Sequence, residues 1–252
     1  MPILYNESMR TPNHLRYIQF QKAFRHGVHR ELSRPRGYGC VTYTTSGAHR
    51  DMTHDTFLAS TDAILRAYGK LNPDAITTFD DLRAFGRVVE ADMFRATGGV
   101  NTHKGLIFLT LFIYYTYLKG VAPDDWTAFI REFAAPLNAD YTTKDYAHGE
   151  LCDVRRLPLS GFAAVLDSLP LRRQLDDDRF TLYLLSTTDD TTTVARSDVT
   201  TLRYLQRRAG AIYDNYNEND ADALNALYNC RRISSGGVAD IFTLTTMIER
   251  LL

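Results

Sequence analysis

Apolar residues recur along much of this chain at the three-and-four spacing of one helical face. From about Pro12 to Leu32 the stripe is Tyr17, Phe20, Phe24, Val28 and Leu32. From Thr56 to Tyr68 it is Phe57, Leu58, Ile64, Leu65 and Tyr68, with Gly69 closing the element. Thr78 with Asp81 three positions on resembles a capping pair, opening a third helix to Thr97 on Leu82, Phe85, Val89 and Met93. The run from Leu106 to Leu118 is different: Leu109, Leu111, Phe112, Ile113 and Tyr115 leave no polar face, so it is predicted to be the buried central helix.

Beyond it, Asp124 is placed to cap a helix carrying Trp126, Phe129, Ile130 and Phe133, which Pro136 ends; Trp126 is expected in the core. Between Asp140 and Arg173 the breakers Gly149, Pro158, Gly161 and Pro170 allow only brief helices and loops. Phe180–Leu185 then leads into a threonine-rich turn. Asp198 caps a helix on Val199, Leu202, Leu205, Ala209, Ile212 and Tyr213, another follows on Leu224, Leu227 and Tyr228, and a last one carries Ile241, Leu244, Ile248 and Leu251. The expectation is an all-α fold: one compact domain over residues 1–252, with an N-terminal helix in 1–35 and the remainder in 36–252.

Composition adds limits. The chain has 252 residues, 44% hydrophobic and 23% charged, enough for a full core, and a formal net charge of −1. That balance offers no general attraction to nucleic acid or to an anionic membrane, so anion binding must come from local placement. The apolar run at Leu106 is shorter than the ~20 residues that cross a bilayer, and the first ten residues lack a signal-peptide core. Cys40, Cys152 and Cys230 are few and widely spaced, which fits a reduced cytoplasmic setting.

Candidate chemistry gathers at four places. Thr97–Phe108 reads TGGVNTHKGLIF, in which Gly98 and Gly99 can take positive φ, Asn101, Thr102 and His103 add donors, and Lys104 adds charge at the start of an apolar helix. A plainer reading makes the two glycines the end of the preceding helix. Ser234, Ser235, Gly236 and Gly237 repeat the device before the last helix. In the loop Ser33–Met52, His49 and Asp51 form an imidazole and carboxylate pair two positions apart, against the plainer reading that Asp51 or Thr53 caps the next helix. Asp190 lies in the threonine-rich turn, followed by Arg196.

The segment GGVNTHKG before an apolar helix resembles the signature of the triphosphoribosyl-dephospho-CoA synthase family. GAHRDM at 47–52 matches that family's glycine, small residue, His, any residue, Asp, Met pattern. Asp190, Thr191 and Arg196 match its Asp-Thr-Asn and His-Arg pattern, and Ser234, Gly236, Gly237, Ala239 and Asp240 match its Ser-Pro-Gly-Gly-Ser-Ala-Asp run. The resemblance extends from about Gly39 to the C-terminus. Thr42, Leu157 and Ala195 depart from it, standing where the family has ionisable groups.

The resemblance implies a transferase that joins ATP to 3′-dephospho-CoA and releases adenine. The product is the precursor of the prosthetic group of citrate lyase or malonate decarboxylase acyl carrier proteins. Its implied partners are ATP and 3′-dephospho-CoA, with no nucleic acid and no membrane; a homo-oligomer is left open. On this reading Gly98, Gly99, Asn101, Thr102, Lys104, Arg196, Ser234, Gly236 and Gly237 bind nucleotide or phosphate. His49, Asp51, His103, Asp190 and Asp240 are the acid, base or metal candidates, with Asp51 and Asp190 expected to hold a Mg²⁺ that accompanies ATP. Two rivals are a relative that binds nucleotide without transfer, suggested by the three departures, and a helical metal-dependent phosphohydrolase.

Overall fold

A computed structural model describes residues 11–143, 151 and 154–252, so the first ten residues, Gly149 and Cys152 lie outside the described residues. Thirteen α-helices and no strand occur among them: α1 (Pro12–Leu32), α2 (His54–Tyr68), α3 (Phe79–Ala96), α4 (Lys104–Leu118), α5 (Trp126–Phe133), α6 (Asn138–Thr143), α7 (Ala163–Asp167), α8 (Leu169–Gln174), α9 (Asp177–Thr187), α10 (Thr191–Ala195), α11 (Val199–Asp214), α12 (Glu218–Cys230) and α13 (Gly236–Leu251). The all-α reading is confirmed. None of the described helices is long and apolar enough to cross a membrane.

The caps explain most boundaries. Thr78 Oγ1 accepts from the Asp81 backbone N–H (3.2 Å), and the Asp81 carboxylate accepts in turn from the Thr77 and Thr78 N–H groups, closing both ends of the capping pair. Asp198 accepts from the Thr201 N–H at 2.6 Å to open α11. The cap of α5 shifts by one: a 3₁₀ turn, Pro123–Asp125, intervenes, and Asp125 rather than Asp124 stands at the N-cap. Proline at the first position of that turn fixes φ and lacks an N–H, so the tighter turn forms first. Trp126 is in the core, its indole N–H donating to the Val121 carbonyl at 3.0 Å.

The centre is a pair of helices rather than one. α4 is buried along nearly its whole length and packs on α3, α5, α1 and α13. α13 packs on α1, α4, α7, α8, α9 and α10, and its face carries the threonines Thr243, Thr245 and Thr246, which keep it from reading as uniformly apolar. Tyr68 and Tyr114 stack at 5.0 Å where α2 meets α4, with the Tyr68 hydroxyl 2.8 Å from Thr110 Oγ1 and the Tyr114 hydroxyl donating to the Tyr68 carbonyl. Because both hydroxyls are paired, the aromatic seam is buried without an orphaned donor. The loop 33–53 is ordered against α13: the Ser235 N–H and hydroxyl both donate to the Tyr38 carbonyl. It carries His49 and Asp51 to the start of that helix.

Candidate active site

One cavity of about 710 Å³ opens where α3, α4, α10, α13 and the loop 33–53 converge. Its apolar wall is built from Phe79, Leu82, Phe108, Leu111 and Phe112. Arg83, Arg87, Lys104, Arg155 and Arg196 bring positive charge, while His49, Asp51, His103 and Asp240 bring groups that can hold or move protons. An apolar pocket with converging polar groups, of this size, suits a nucleotide-sized ligand.

At the start of α4 the glycines and the polar cluster separate. Gly98 (φ 64°) and Gly99 (φ 91°) end α3, the Gly99 N–H donating to the Phe94 carbonyl at 2.8 Å in a left-handed closure. A Cβ on either would meet nothing within 4 Å, and neither lines the cavity. The expectation that they cradle a phosphate is corrected: they turn the chain. The four residues after Val100 do reach the cavity. Asn101 Oδ1 accepts from the Lys104 N–H (3.3 Å), and Lys104 Nζ pairs with Glu90 at 2.7 Å on the rim. Thr102 donates to Ser60 Oγ at 2.7 Å, and Ser60 Oγ lies 2.7 Å from His103 Nδ1. The His103 ring sits edge-on to Phe57, and its burial lowers its pKa to about 3, so it is an uncharged imidazole at neutral pH.

At the start of α13 the glycines do line the cavity. Here the helix end already meets an acceptor, because the buried Asp190 carboxyl group accepts from the Val238 N–H (3.0 Å) as well as from the Thr192 (2.8 Å) and Thr193 (3.1 Å) N–H groups that begin α10. One carboxylate therefore caps two helices. A Cβ on Gly237 would stand 3.2 Å from that carboxylate, so the glycine allows the approach. Asp190 does not line the cavity, and its oxygens are taken by backbone donors. Its expected catalytic and Mg²⁺ roles give way to a structural one.

His49, Arg196 and Ser234 form a chain beside this junction. Arg196 can only donate, so His49 Nδ1 accepts from it at 3.2 Å, and the ring proton falls on Nε2, which meets Ser234 Oγ at 3.1 Å. Burial and then the Arg196 charge lower the His49 pKa, against a smaller opposing effect of Asp51, 4.0 Å away and largely exposed. Asp240 projects from the first turns of α13 against the start of α4: a Cβ on Gly105 would fall 2.1 Å from its Oδ2. Burial, with the neighbouring Asp190 and Glu31 carboxylates, pushes its pKa well above the usual range.

Of the three departures from the family pattern, Thr42 is buried in its own loop, 3.1 Å from the Thr44 hydroxyl, and Leu157 packs on the core. Only Ala195 lines the cavity. Arg83, Arg87 and Glu90 were not anticipated as site residues. They lie beside the Leu82, Val89 and Met93 stripe of α3 at helical spacing, a signal that a solvated charged face gives equally well.

Comparison with known proteins gives a coherent answer. A family model described as CitG, ATP:dephospho-CoA triphosphoribosyl transferase, matches residues 18–162 and 161–252. A protein of Escherichia fergusonii named 2-(5″-triphosphoribosyl)-3′-dephosphocoenzyme-A synthase is 28% identical over 253 aligned positions, covering 84% of this chain and 84% of the relative. A probable synthase of the same name from Salmonella gallinarum is 30% identical, covering 84% of this chain and 83% of the relative, and one from Photobacterium profundum is 28% identical, covering 84% and 81%. No solved structure matches.

Proposed function

The chain belongs to the ATP:dephospho-CoA triphosphoribosyl transferase family, and from that membership we propose that its cavity is where ATP and 3′-dephospho-CoA meet. The protein is a transferase that forms 2′-(5″-triphosphoribosyl)-3′-dephospho-CoA and releases adenine. The observation that carries the assignment to this cavity is that Lys104, from the start of α4, and Gly236 and Gly237, from the start of α13, share it with His49, Asp51, His103 and Asp240. Segments far apart in the chain supply its charge, its proton-bearing groups and its apolar wall.

The reaction replaces adenine on the anomeric carbon of ATP's ribose with the 2′-hydroxyl of dephospho-CoA. Positive charge develops on the sugar, so nearby carboxylates lower the barrier, and the hydroxyl needs a base to take its proton. The triphosphate stays on the ribose throughout. Lys104, Arg87 and Arg196 on the cavity wall would neutralise it, and the Phe79, Leu82 and Phe112 wall would be the apolar surface on which adenine or the pantetheine arm packs. Backbone donors at the start of α13 contribute less than the glycines suggest, since Asp190 already occupies them.

A Mg²⁺ expected with ATP fits this site in one way. Mg²⁺ keeps most of its coordination in water and phosphate oxygens and takes one or two carboxylates from the protein. Among the described residues no group of three or more His, Cys, Asp or Glu side chains is assembled for a metal, and Asp190 is committed to backbone N–H groups. The exposed carboxylate of Asp51 on the cavity wall would supply a protein oxygen. The ion would shield the phosphates. The free thiols of Cys40 and Cys230 support a reduced, cytoplasmic setting.

The test is direct. Purified protein with ATP, Mg²⁺ and dephospho-CoA should release adenine in step with coupled product. A protein that stays folded but releases phosphate and no adenine is a phosphohydrolase, and one that binds ATP without turnover is a binder only.

A further inference from the structure

Loss of adenine from a ribose places negative charge on the base, so departure is eased when a proton reaches a ring nitrogen as the C1′–N9 bond stretches. Among the cavity's proton-bearing groups, the geometry removes most from this task. His103 is buried as a neutral imidazole whose Nδ1 meets Ser60. The ring hydrogen of His49 is engaged by Ser234, and Lys104 is held by Glu90 on the rim. Asp51 is solvated, its side chain 64% exposed.

Asp240 is different. It lines the cavity beside Gly105 and has no hydrogen-bond or ion-pair partner among the described residues. Two carboxylates face it from other elements, Glu31 on α1 and Asp190 ahead of α10. Each of those has its charge answered elsewhere, Glu31 by Arg34 at 2.5 Å and Asp190 by the backbone donors of α10 and α13. From α4, His103 is neutral and Lys104 is paired with Glu90, while the charges that act on Asp240 are the Asp190 and Glu31 carboxylates rather than Arg87 or Arg196 on the cavity wall.

We propose that Asp240 is the acid that protonates adenine as it leaves. The proposal rests on the transferase reading of this cavity. In the step, the C1′–N9 pair of electrons goes to adenine, the Asp240 carboxyl proton goes to a ring nitrogen of the base, and the dephospho-CoA 2′-oxygen bonds to C1′. The hydroxyl proton passes to a base or to water, and Asp240 is reprotonated before the next turnover. Burial and like-charge neighbours push its pKa well above the usual carboxylate range, which favours the proton-bearing form this step needs.

The experiment compares two donors, ATP and p-nitrophenyl ribofuranoside 5′-triphosphate, whose p-nitrophenolate departs without a proton. With Asp240→Asn, adenine release from ATP should fall about 10²- to 10⁴-fold, the usual contribution of a general acid. Turnover of the nitrophenyl donor, with dephospho-CoA as acceptor, should change less than about threefold by the same logic. In the wild type, the rate with ATP should decline as pH rises through the Asp240 pKa, and the nitrophenyl rate should lack that limb; this arm needs no folded variant. Equal losses with both donors, or wild-type adenine release by Asp240→Asn, would overturn the assignment while leaving the transferase reading intact. Absence of adenine release by the wild type removes the reading itself.

Discussion

Gly98-Gly99 and Gly236-Gly237 are the same dipeptide at the same kind of junction, between a polar cluster and an apolar helix, yet they do different things. The first pair adopts positive φ, ends α3 and faces open space. The second pair begins α13 and lines the cavity, with Gly237 against the Asp190 carboxyl group and Gly236 against Thr192. The difference comes from what the rest of the chain delivers. Asp190, from more than forty residues upstream of Val238, is brought to one pair, and nothing is brought to the other. A glycine pair before a helix therefore marks a place where backbone can be approached closely, while the tertiary neighbour decides whether anything approaches.

The largest effect that would break this contrast is removal of the Asp190 side chain. Asp190→Ala leaves the Thr192, Thr193 and Val238 N–H groups without their partner in a buried place. At ~1–3 kcal/mol for an unsatisfied buried group, the loss of stability should be about 3 kcal/mol, read by urea or thermal denaturation. A loss under about 0.5 kcal/mol, the size of an ordinary surface change, would show that α10 and α13 do not depend on a shared cap.

The polar cluster after the first glycine pair gives the next test. His103 has a folded-state pKa lowered to about 3 from 6.5, so its stabilising contribution is full above the unfolded value and is lost as pH falls through 6.5 toward 3. Each pH unit in that window should cost about 1.4 kcal/mol at this residue. His103→Asn should flatten the acid limb of stability between pH 6 and 4; an unchanged slope would mean that the imidazole is protonated and hydrated in the native state.

Smaller effects sharpen the comparison. Gly98→Ala and Gly99→Ala meet no neighbour, so their cost is that of holding a Cβ in the left-handed region, about 1–2 kcal/mol each, with adenine release by the folded protein unchanged. Gly237→Ala should do the reverse. Its Cβ pushes on Asp190, while alanine in the first helical turn offsets the strain by up to about 1 kcal/mol, so stability stays nearly level and the Michaelis constant for ATP rises several-fold. If Gly99→Ala impairs ATP binding more than Gly237→Ala does, the contrast is inverted.

Much of this protein is legible locally. The three-and-four spacing located α1, α2, α3 and α11, and Thr78 and Asp198 marked the starts of α3 and α11, because helix periodicity and capping act within a few residues. The polar residues Asn101, Thr102, His103 and Lys104 stood out because capping alone needs fewer of them, and all four line the cavity. What failed locally were roles that depend on a partner. Asp190 in a threonine-rich turn reads as a ligand or a solvated residue, and only α13 packed against α10 makes it a double cap. Arg83 and Arg87 read as the wet side of α3 until the cavity forms beside them.

The sequence by itself determined that the chain is helical, where most helices begin, and which segments carry charge and protons, since those properties follow from side-chain volume, hydrogen bonding and spacing along one strand of backbone. Tertiary structure decided which of those groups meet. Packing α4 against α13 places Asp240 against Gly105 and leaves it with two carboxylates for neighbours, and that electrostatic setting exists only once residues more than a hundred positions apart exclude water together.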